Sequence, residues 1–127
     1  MARKIFTLRG KTLEELQKMS LEEFAKTLPA RQKRSLLRGL TEKQKKFLIR
    51  LRKSEKPLKT HCRSMVIIPE MVGRRIMVHR GNEWKVLDIK AEMLGYRLGD
   101  FVLTRQRVQH SSPGLGATKS SKFTALK

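Results

Sequence analysis

Positive charge is concentrated in one stretch of this sequence, where residues 30–63 carry 13 basic side chains and only 2 acidic ones. Across all 127 residues, 30 lysines and arginines face 11 acidic side chains, which gives a formal net charge of +19. The length suits one domain with tails and excludes two full domains. A compact body of that size would repel itself at this charge. A large polyanion is therefore the expected partner.

The stretch 31–63 is the strongest chemical signal in the sequence. Clustered lysines and arginines neutralise nucleic-acid phosphates and release the counterions condensed on them. The alternative is an ordinary solvated helix surface, but such surfaces usually intersperse both signs of charge. Residues 64–101 are nearly neutral, with 6 basic and 5 acidic groups, whereas residues 102–127 carry 5 basic groups and no acid. Nucleic-acid binding through the basic stretch and the tail is the favoured interpretation.

Three helix starts are marked in the first half of the chain. At each, a hydroxyl residue is followed three positions later by Glu or Gln, a capping box in which each side chain satisfies a backbone amide of the other residue. The pairs are Thr12 with Glu15, Ser20 with Glu23, and Thr41 with Gln44. The second helix is expected to close by Pro29. The third is expected to end near Ser54 and to surround a narrow apolar face with lysines and arginines.

In the second half of the chain the periodicity changes to short β-prone segments. Residues 65–68, 76–78 and 84–87 predict three strands. The dipeptide Gly81-Asn82 between the last two predicts an antiparallel hairpin, because both residues tolerate positive φ better than most.

The chain after the strands loses regular structure. Residues 90–94 predict one helical turn, which Gly95 ends because glycine adopts the left-handed cap conformation readily. Beyond Thr104 the sequence is polar, glycine-rich and free of acids, so it is expected to become ordered only against a partner. The expected fold is α+β, with basic N-terminal helices, a small three-stranded, mostly antiparallel sheet and an extended basic C-terminal tail.

Two loops place glycine beside arginine. Arg74 and Arg75 follow Gly73, and Arg80 precedes Gly81 at the tip of the predicted hairpin. Glycine lets backbone amides approach a phosphate closely while the guanidinium groups bind its oxygens. Both loops are therefore candidate phosphate sites, with a solvated turn as the alternative.

The aromatic residues are few, and most of them occupy positions that look core-facing. Stacking on single-stranded bases needs exposed rings, so recognition is expected through the backbone and shape of the nucleic acid. Tyr96, between Gly95 and Arg97 at a turn, is the exception that we keep as a candidate. Core packing is the alternative for its ring.

No catalytic or metal site is indicated by the sequence. Cys62 with His61, His79 and His110 has the wrong spacing for any common zinc finger and offers a single thiolate. No phosphate-binding loop, nucleophile elbow or acid-base constellation is present. We therefore expect no enzymatic activity, no cofactor, no metal and no small-molecule substrate.

The single cysteine also bears on the compartment. It excludes an internal disulfide and favours a reducing environment. No run approaches the roughly 18 apolar residues needed to span a bilayer, and the N-terminal residues lack the apolar region of a signal peptide. A cytoplasmic location without membrane association is the expectation.

Four separated motifs carry a resemblance to a known family. They are Lys59-Thr60-His61-Cys62-Arg63-Ser64, Ile68-Pro69-Glu70-Met71-Val72-Gly73, Val78-His79-Arg80-Gly81, and Leu94-Gly95-Tyr96-Arg97-Leu98-Gly99-Asp100-Phe101 with Thr104-Arg105. In this order and spacing they resemble the small-subunit ribosomal protein nineteen family. The N-terminal helices and the tail between Pro113 and Phe123 look like its archaeal and eukaryotic branch, and we expect an archaeal source.

The resemblance implies a small α+β domain in the head of the small ribosomal subunit, bound to ribosomal RNA beside ribosomal protein thirteen. It also implies that the basic tail reaches toward the decoding region and tRNA. We expect a helical extension over 1–58, basic from about residue 31, an RNA-binding core over 59–105 and a tail over 106–127 that is ordered on the ribosome. The expected RNA-contacting residues are Lys59, Thr60, Arg63, Ser64, Arg74, Arg75, His79, Arg80, Gly81, Asn82, Tyr96, Arg97, Arg105 and Arg107, with Lys119 and Lys122 in the tail.

Two other functions stay open at the level of sequence. A free-standing nucleic-acid chaperone or architectural protein would neutralise any duplex through the same charges. An enzyme acting on RNA is disfavoured because the required acid-base groups are missing.

Overall fold

The structure, a computed structural model, describes residues 5–108 of the chain. Within these residues it contains four α-helices and five β-strands. The helices are α1 (Leu13–Lys18), α2 (Leu21–Lys26), α3 (Ala30–Leu37) and α4 (Glu42–Lys53). The strands are β1 (Thr7–Leu8), β2 (Lys11–Thr12), β3 (Leu58–Thr60), β4 (Arg75–His79) and β5 (Trp84–Asp88). The α+β prediction is confirmed.

The capping boxes begin helices as predicted. Thr12 Oγ1 accepts the Glu15 backbone N–H at 3.5 Å, and the Glu15 carboxylate accepts the Thr12 N–H at 2.8 Å. The same reciprocal pair begins α2 at Ser20 and α4 at Thr41. Helix α3 follows Pro29 with no side-chain cap, so no local signal in the sequence marks its start.

The main sheet has the order β3-β4-β5. Strands β4 and β5 form the predicted antiparallel hairpin, with His79 opposite Trp84. Strand β3 pairs with β4 in parallel, and Thr60 lies opposite Val78. A parallel neighbour needs a long connection back to the same sheet, and the chain between β3 and β4 provides it.

The strand predicted at 65–68 is wrong, and the third strand of the sheet is Leu58–Thr60 instead. Residues 65–68 lie in the core, where all four are buried. They pair with the turn at 95–98 through single contacts, including an Ile67 N–H bond to the Tyr96 carbonyl at 2.8 Å and one isolated bridge at Val66. Their apolar side chains favour a strand locally. The segment that they pair with is a turn, however, so no continuous β-ladder forms.

A small N-terminal hairpin was not expected from the sequence. Strands β1 and β2 pair antiparallel, with Thr7 opposite Thr12. Their turn, Arg9-Gly10, has positive φ at both positions, 49° and 80°, which is the conformation that tight two-residue hairpins require. The glycine is the signal that could have indicated it.

Helices and sheet share one hydrophobic core. Its strand residues, among them Ile76 and Val78, project from one face of the sheet. The helical residues that join this core are Leu16, Phe24, Ala25, Leu36, Phe47, Leu48 and Leu51. The side chains that alternate with the core residues along β4 and β5 lie on the opposite, outer face of the sheet. Within residues 5–108, no helix is long and apolar enough to cross a membrane.

The predicted turn at 90–94 is present as a short 3-10 helix over Ala91–Met93, followed by Gly95 at φ 82°. A Cβ atom on Gly95 would lie 2.7 Å from Leu28 Cδ2. Glycine therefore serves two needs here, the left-handed backbone and the close approach to the side chain after α2.

Candidate nucleic-acid interface

An open groove between α4 and β3 is lined by positive side chains. Helix α4 buries Phe47, Leu48 and Leu51 in the core, which turns the basic residues on its other sides outward. Those that line the groove from the helix are Lys43, Lys46 and Arg50, at the spacing of one helical face. Lys59 and His61 line it from β3 and the residue after it. The helix and the strand therefore form the two sides of one groove, and the charged side chains that line it are all positive.

A different side of α4 carries an intramolecular ion pair. The Arg52 guanidinium binds the Glu70 carboxylate through two hydrogen bonds of 2.9 Å each. The hydrogen bonds and the charge of Glu70 raise the pKa of Arg52 above its usual value. This arginine is therefore engaged within the protein, and it is separate from the groove cations.

Arg63 is half-buried and binds within the fold. Its guanidinium donates to the backbone carbonyls of His79 at 2.8 Å, Gly99 at 3.2 Å, and Val102. Thr60 is buried, and its Oγ1 accepts the Cys62 backbone N–H at 3.1 Å. Two of the residues expected to contact RNA therefore hold the loop after β3 against the rest of the domain, whereas Ser64 beside them is exposed.

The loop before β4 uses its backbone within the protein. The Gly73 N–H donates to the Ile89 carbonyl at 2.8 Å. Arg75 Nε binds Asp88 Oδ1 at 2.7 Å, and both side chains are exposed. Arg74 reaches the Ser54 carbonyl with a longer contact of 3.4 Å. The glycine amide is thus occupied, and the guanidinium groups are what this loop offers to a phosphate.

The tip of the β4–β5 hairpin exposes Gly81 and Asn82. Arg80 folds back, with its side chain only 11% exposed and Nη1 at 2.8 Å from Glu83 Oε1. The Gly81 N–H donates to His79 Nδ1 at 3.2 Å, which orients that ring. Gly81 has φ 113°, a conformation available to glycine at little cost.

The turn after Gly95 presents Tyr96, a residue that is 53% exposed and whose ring meets Phe101 edge-on at 5.6 Å between centroids. Tyr96 is therefore not packed in the core, which was the alternative for its ring. Arg97 Nη2 donates to Ser35 Oγ at 3.1 Å, which ties the turn to α3. Arg105 and Arg107 are exposed. The expected contacts Lys119 and Lys122 lie outside the described residues.

The prediction missed an aromatic cluster on the outer face of the sheet. The rings of His61, His79 and Trp84 lie within 4.4–4.9 Å of one another, centroid to centroid. Lys59 Nζ lies 5.5 Å from the Trp84 ring centre. Strand alternation could have indicated this placement, because Trp84 and the buried Leu87 are three residues apart and so face opposite sides.

Among residues 5–108, no three His, Cys, Asp or Glu side chains are grouped so that they could hold a metal ion. Cys62 is a free thiol.

A sequence model of the family described as Ribosomal protein S19 matches residues 24–110. This chain belongs to the ribosomal protein S19 family. A protein named small ribosomal subunit protein uS19, from Thermoplasma acidophilum, is 51% identical over 124 residues. That match covers 98% of this chain and 82% of the relative. The resemblance to the archaeal and eukaryotic branch of the family is confirmed.

The S19 match includes the whole candidate interface. It begins in α2 and takes in α4, the main sheet, the hairpin tip and the turn at Tyr96. The β1–β2 hairpin and α1 precede the matched residues. The groove and the aromatic cluster therefore lie in the part of the chain that the family shares.

Proposed function

We propose that this protein is a structural constituent of the small ribosomal subunit, in the cytoplasm, and that it binds ribosomal RNA in the subunit head. The observation that carries the proposal is the groove between α4 and β3, where Lys43, Lys46, Arg50 and Lys59 come together from two elements. Membership of the S19 family supports the assignment to the ribosome.

Binding follows from charge and shape, and no bond is made or broken. A cation that neutralises a phosphate releases a condensed counterion, and this entropy supplies much of the affinity. The packed core fixes α4 relative to β3, so the backbone that carries the groove cations is ordered before RNA arrives. Prior ordering lowers the entropy cost of binding.

The residues that the family resemblance predicts to contact RNA divide into two groups in this proposal, beside the groove residues of α4. Exposed side chains and loop backbone contact RNA directly, and they are Lys59, Ser64, Arg75, Gly81, Asn82, Tyr96, Arg105 and Arg107. The more buried residues are Thr60, Arg63, Arg74, His79, Arg80 and Arg97. These residues hold the loops in position, and the arginines among them add positive potential behind the surface, while the half-buried ring of His79 also stays accessible on the outer face of the sheet.

The proposal extends to the partners and the division of the chain. Residues 1–58 form a helical extension, 59–105 the RNA-binding core, and 106–127 a basic tail, with Lys119 and Lys122, that is ordered on the ribosome. Ribosomal protein thirteen is the neighbouring protein, and the tail points toward the decoding region and tRNA. These statements rest on the family resemblance and on the acid-free composition of the tail.

Two measurements test the function. Binding of the full-length protein to a transcript of the head domain of small-subunit RNA should weaken steeply with salt, with a log–log slope of several units. A flat profile between low and moderate ionic strength contradicts phosphate binding.

The second measurement is sedimentation of a lysate of the source cells. The protein should comigrate with small subunits in a one-to-one ratio. Protein that stays at the top of the gradient, while still binding RNA, would favour the alternative of a free-standing nucleic-acid chaperone or architectural protein.

A further inference from the structure

The outer face of the main sheet combines rings with positive charge. Three successive strands contribute to one row across it: His61 directly after β3, His79 at the end of β4 and Trp84 at the start of β5. The next row contains Lys59, Met77 and Val86, which the strand register places side by side. The opposite face of the same strands packs into the core.

This face is accessible to a ligand. Lys59 and His61 are exposed, and Val86, an apolar side chain, is 50% exposed. Trp84 and His79 are partly exposed. An apolar and aromatic surface left open to water in a folded domain commonly marks a binding site.

The local structure holds the rings in place. His79 and Trp84 are cross-strand partners, and their rings meet at 67°. The bond from the Gly81 N–H fixes His79, and the partly buried Arg63 guanidinium holds the His79 carbonyl. His61 follows a strand whose last residue, Thr60, is anchored in the core. The cluster is thus preorganised by backbone pairing.

The charge next to the rings indicates the ligand class. Lys59 is shared between the aromatic cluster, where its Nζ faces Trp84, and the groove that Lys46 and Arg50 line. A nucleotide has the matching pattern, a flat base attached to a phosphate. Sheet faces with exposed rings bind unpaired bases in other RNA-binding folds, because every base offers a face for stacking.

We propose that His61, His79 and Trp84 form a stacking site for an unpaired nucleotide of RNA, with Lys59 and the α4 groove binding the adjoining phosphates. The inference rests on the proposed RNA-binding function and deepens it. It differs from the expectation that recognition is through the backbone and shape of the RNA rather than by base stacking, for which Tyr96 was the one exception.

Tryptophan fluorescence gives a direct test, because the chain contains 1 Trp and its emission therefore reports on Trp84 alone. The full-length protein is titrated with a dye-labelled transcript of the head domain of small-subunit RNA, and two signals are followed. Anisotropy of the dye reports binding, and quenching of Trp84 reports stacking. We expect both signals to change along one curve, and a fully paired RNA duplex to give binding with much weaker quenching.

The two signals separate the two proposals. Binding without quenching overturns the stacking site and leaves the RNA-binding function standing. No anisotropy change means that the proposed function fails, and the stacking site fails with it.

Variants of the protein provide a second test of the stacking site. His61→Ala removes an exposed ring and should weaken binding to the transcript by about fivefold to about a hundredfold, the usual range for one base stack. Its salt slope should stay unchanged, because no charge contact is lost. Lys59→Gln should instead lower the slope by about one.

Leu37→Ala is the matched control, since Leu37 is an exposed apolar side chain on α3, and its affinity should equal that of the parent protein. Unchanged affinity in His61→Ala, with the fold retained by circular dichroism, would remove this ring from the site and overturn the inference.

Discussion

The guanidinium of Arg63 donates a 2.8 Å hydrogen bond to the backbone carbonyl of His79, 16 residues further along the chain. The same group reaches the carbonyls of Gly99 and Val102. One side chain therefore joins the segment after β3 to the end of β4 and to the last 3-10 turn. A basic residue in a family motif acts here first as an internal support.

Replacing Arg63 with Met should cost about 2–4 kcal/mol of unfolding free energy, because several carbonyls lose a charged donor in a partly buried place. Urea denaturation measures the change. Arg107→Met is the control, since Arg107 is exposed, and it should stay within about 0.5 kcal/mol of the parent. Equal stability of the two variants would contradict the internal role of Arg63.

Gly95→Ala should destabilise the protein more than Gly39→Ala. Both glycines have positive φ, 82° and 91°, so the backbone cost of roughly 1–2 kcal/mol is common to both. A Cβ on Gly95 meets Leu28 Cδ2 at 2.7 Å, whereas a Cβ on Gly39 meets nothing within 4 Å. The additional loss of stability in Gly95→Ala compared with Gly39→Ala, measured by thermal unfolding, reports the contact with Leu28. A larger loss of stability in Gly39→Ala than in Gly95→Ala would contradict this expectation.

Thr41→Ala should cost about 1 kcal/mol, because it removes the side-chain oxygen that accepts the Gln44 N–H at the start of α4. Thr41→Ser retains the oxygen and should be close to neutral. Chemical denaturation compares the two. If alanine and serine behave alike, the capping box does not stabilise α4.

Neutralising Lys43, Lys46 and Arg50 together with glutamine should lower the salt slope of RNA binding by about three. The control is the triple variant Lys18→Gln, Lys26→Gln and Lys90→Gln, which removes the same charge from other exposed positions. Filter binding at several salt concentrations gives both slopes. If the control variant lowers the salt slope as much as the groove variant does, the groove is not the specific site of phosphate binding.

Glu70→Gln should lower stability by less than about 1 kcal/mol, since the Arg52–Glu70 pair is exposed and screened by water and salt. A double-mutant cycle with Arg52→Gln isolates the pair. A coupling energy well above that range would show that the two bonds stabilise the fold more than exposed pairs usually do.

The features that were predicted correctly from the sequence are local ones. The capping boxes at Thr12, Ser20 and Thr41 involve residues three apart, and the β4–β5 hairpin closes over a short turn, so neighbouring residues determine both. Strand β3 was missed because its partner, β4, lies far along the chain and its own residues, Leu-Lys-Thr, carry little β signal.

The same limit applies to the candidate site. Composition identified the basic stretch, but it could not show that Arg63 would donate hydrogen bonds to carbonyls of distant segments. Nor did it show that His61 and Trp84 would meet across the sheet. Those relationships exist only after the strands have paired.

The parallel pairing of β3 with β4 has a consequence for the order of folding. The β4–β5 hairpin can close early from neighbouring residues, whereas joining Leu58 to Ile76 requires a longer loop to close. One wall of the groove and one ring of the cluster come from that late segment. Under the proposed function, a half-folded chain would carry the charge that attracts RNA without the groove that fits it, so discrimination between RNAs would begin only once β3 has paired with β4.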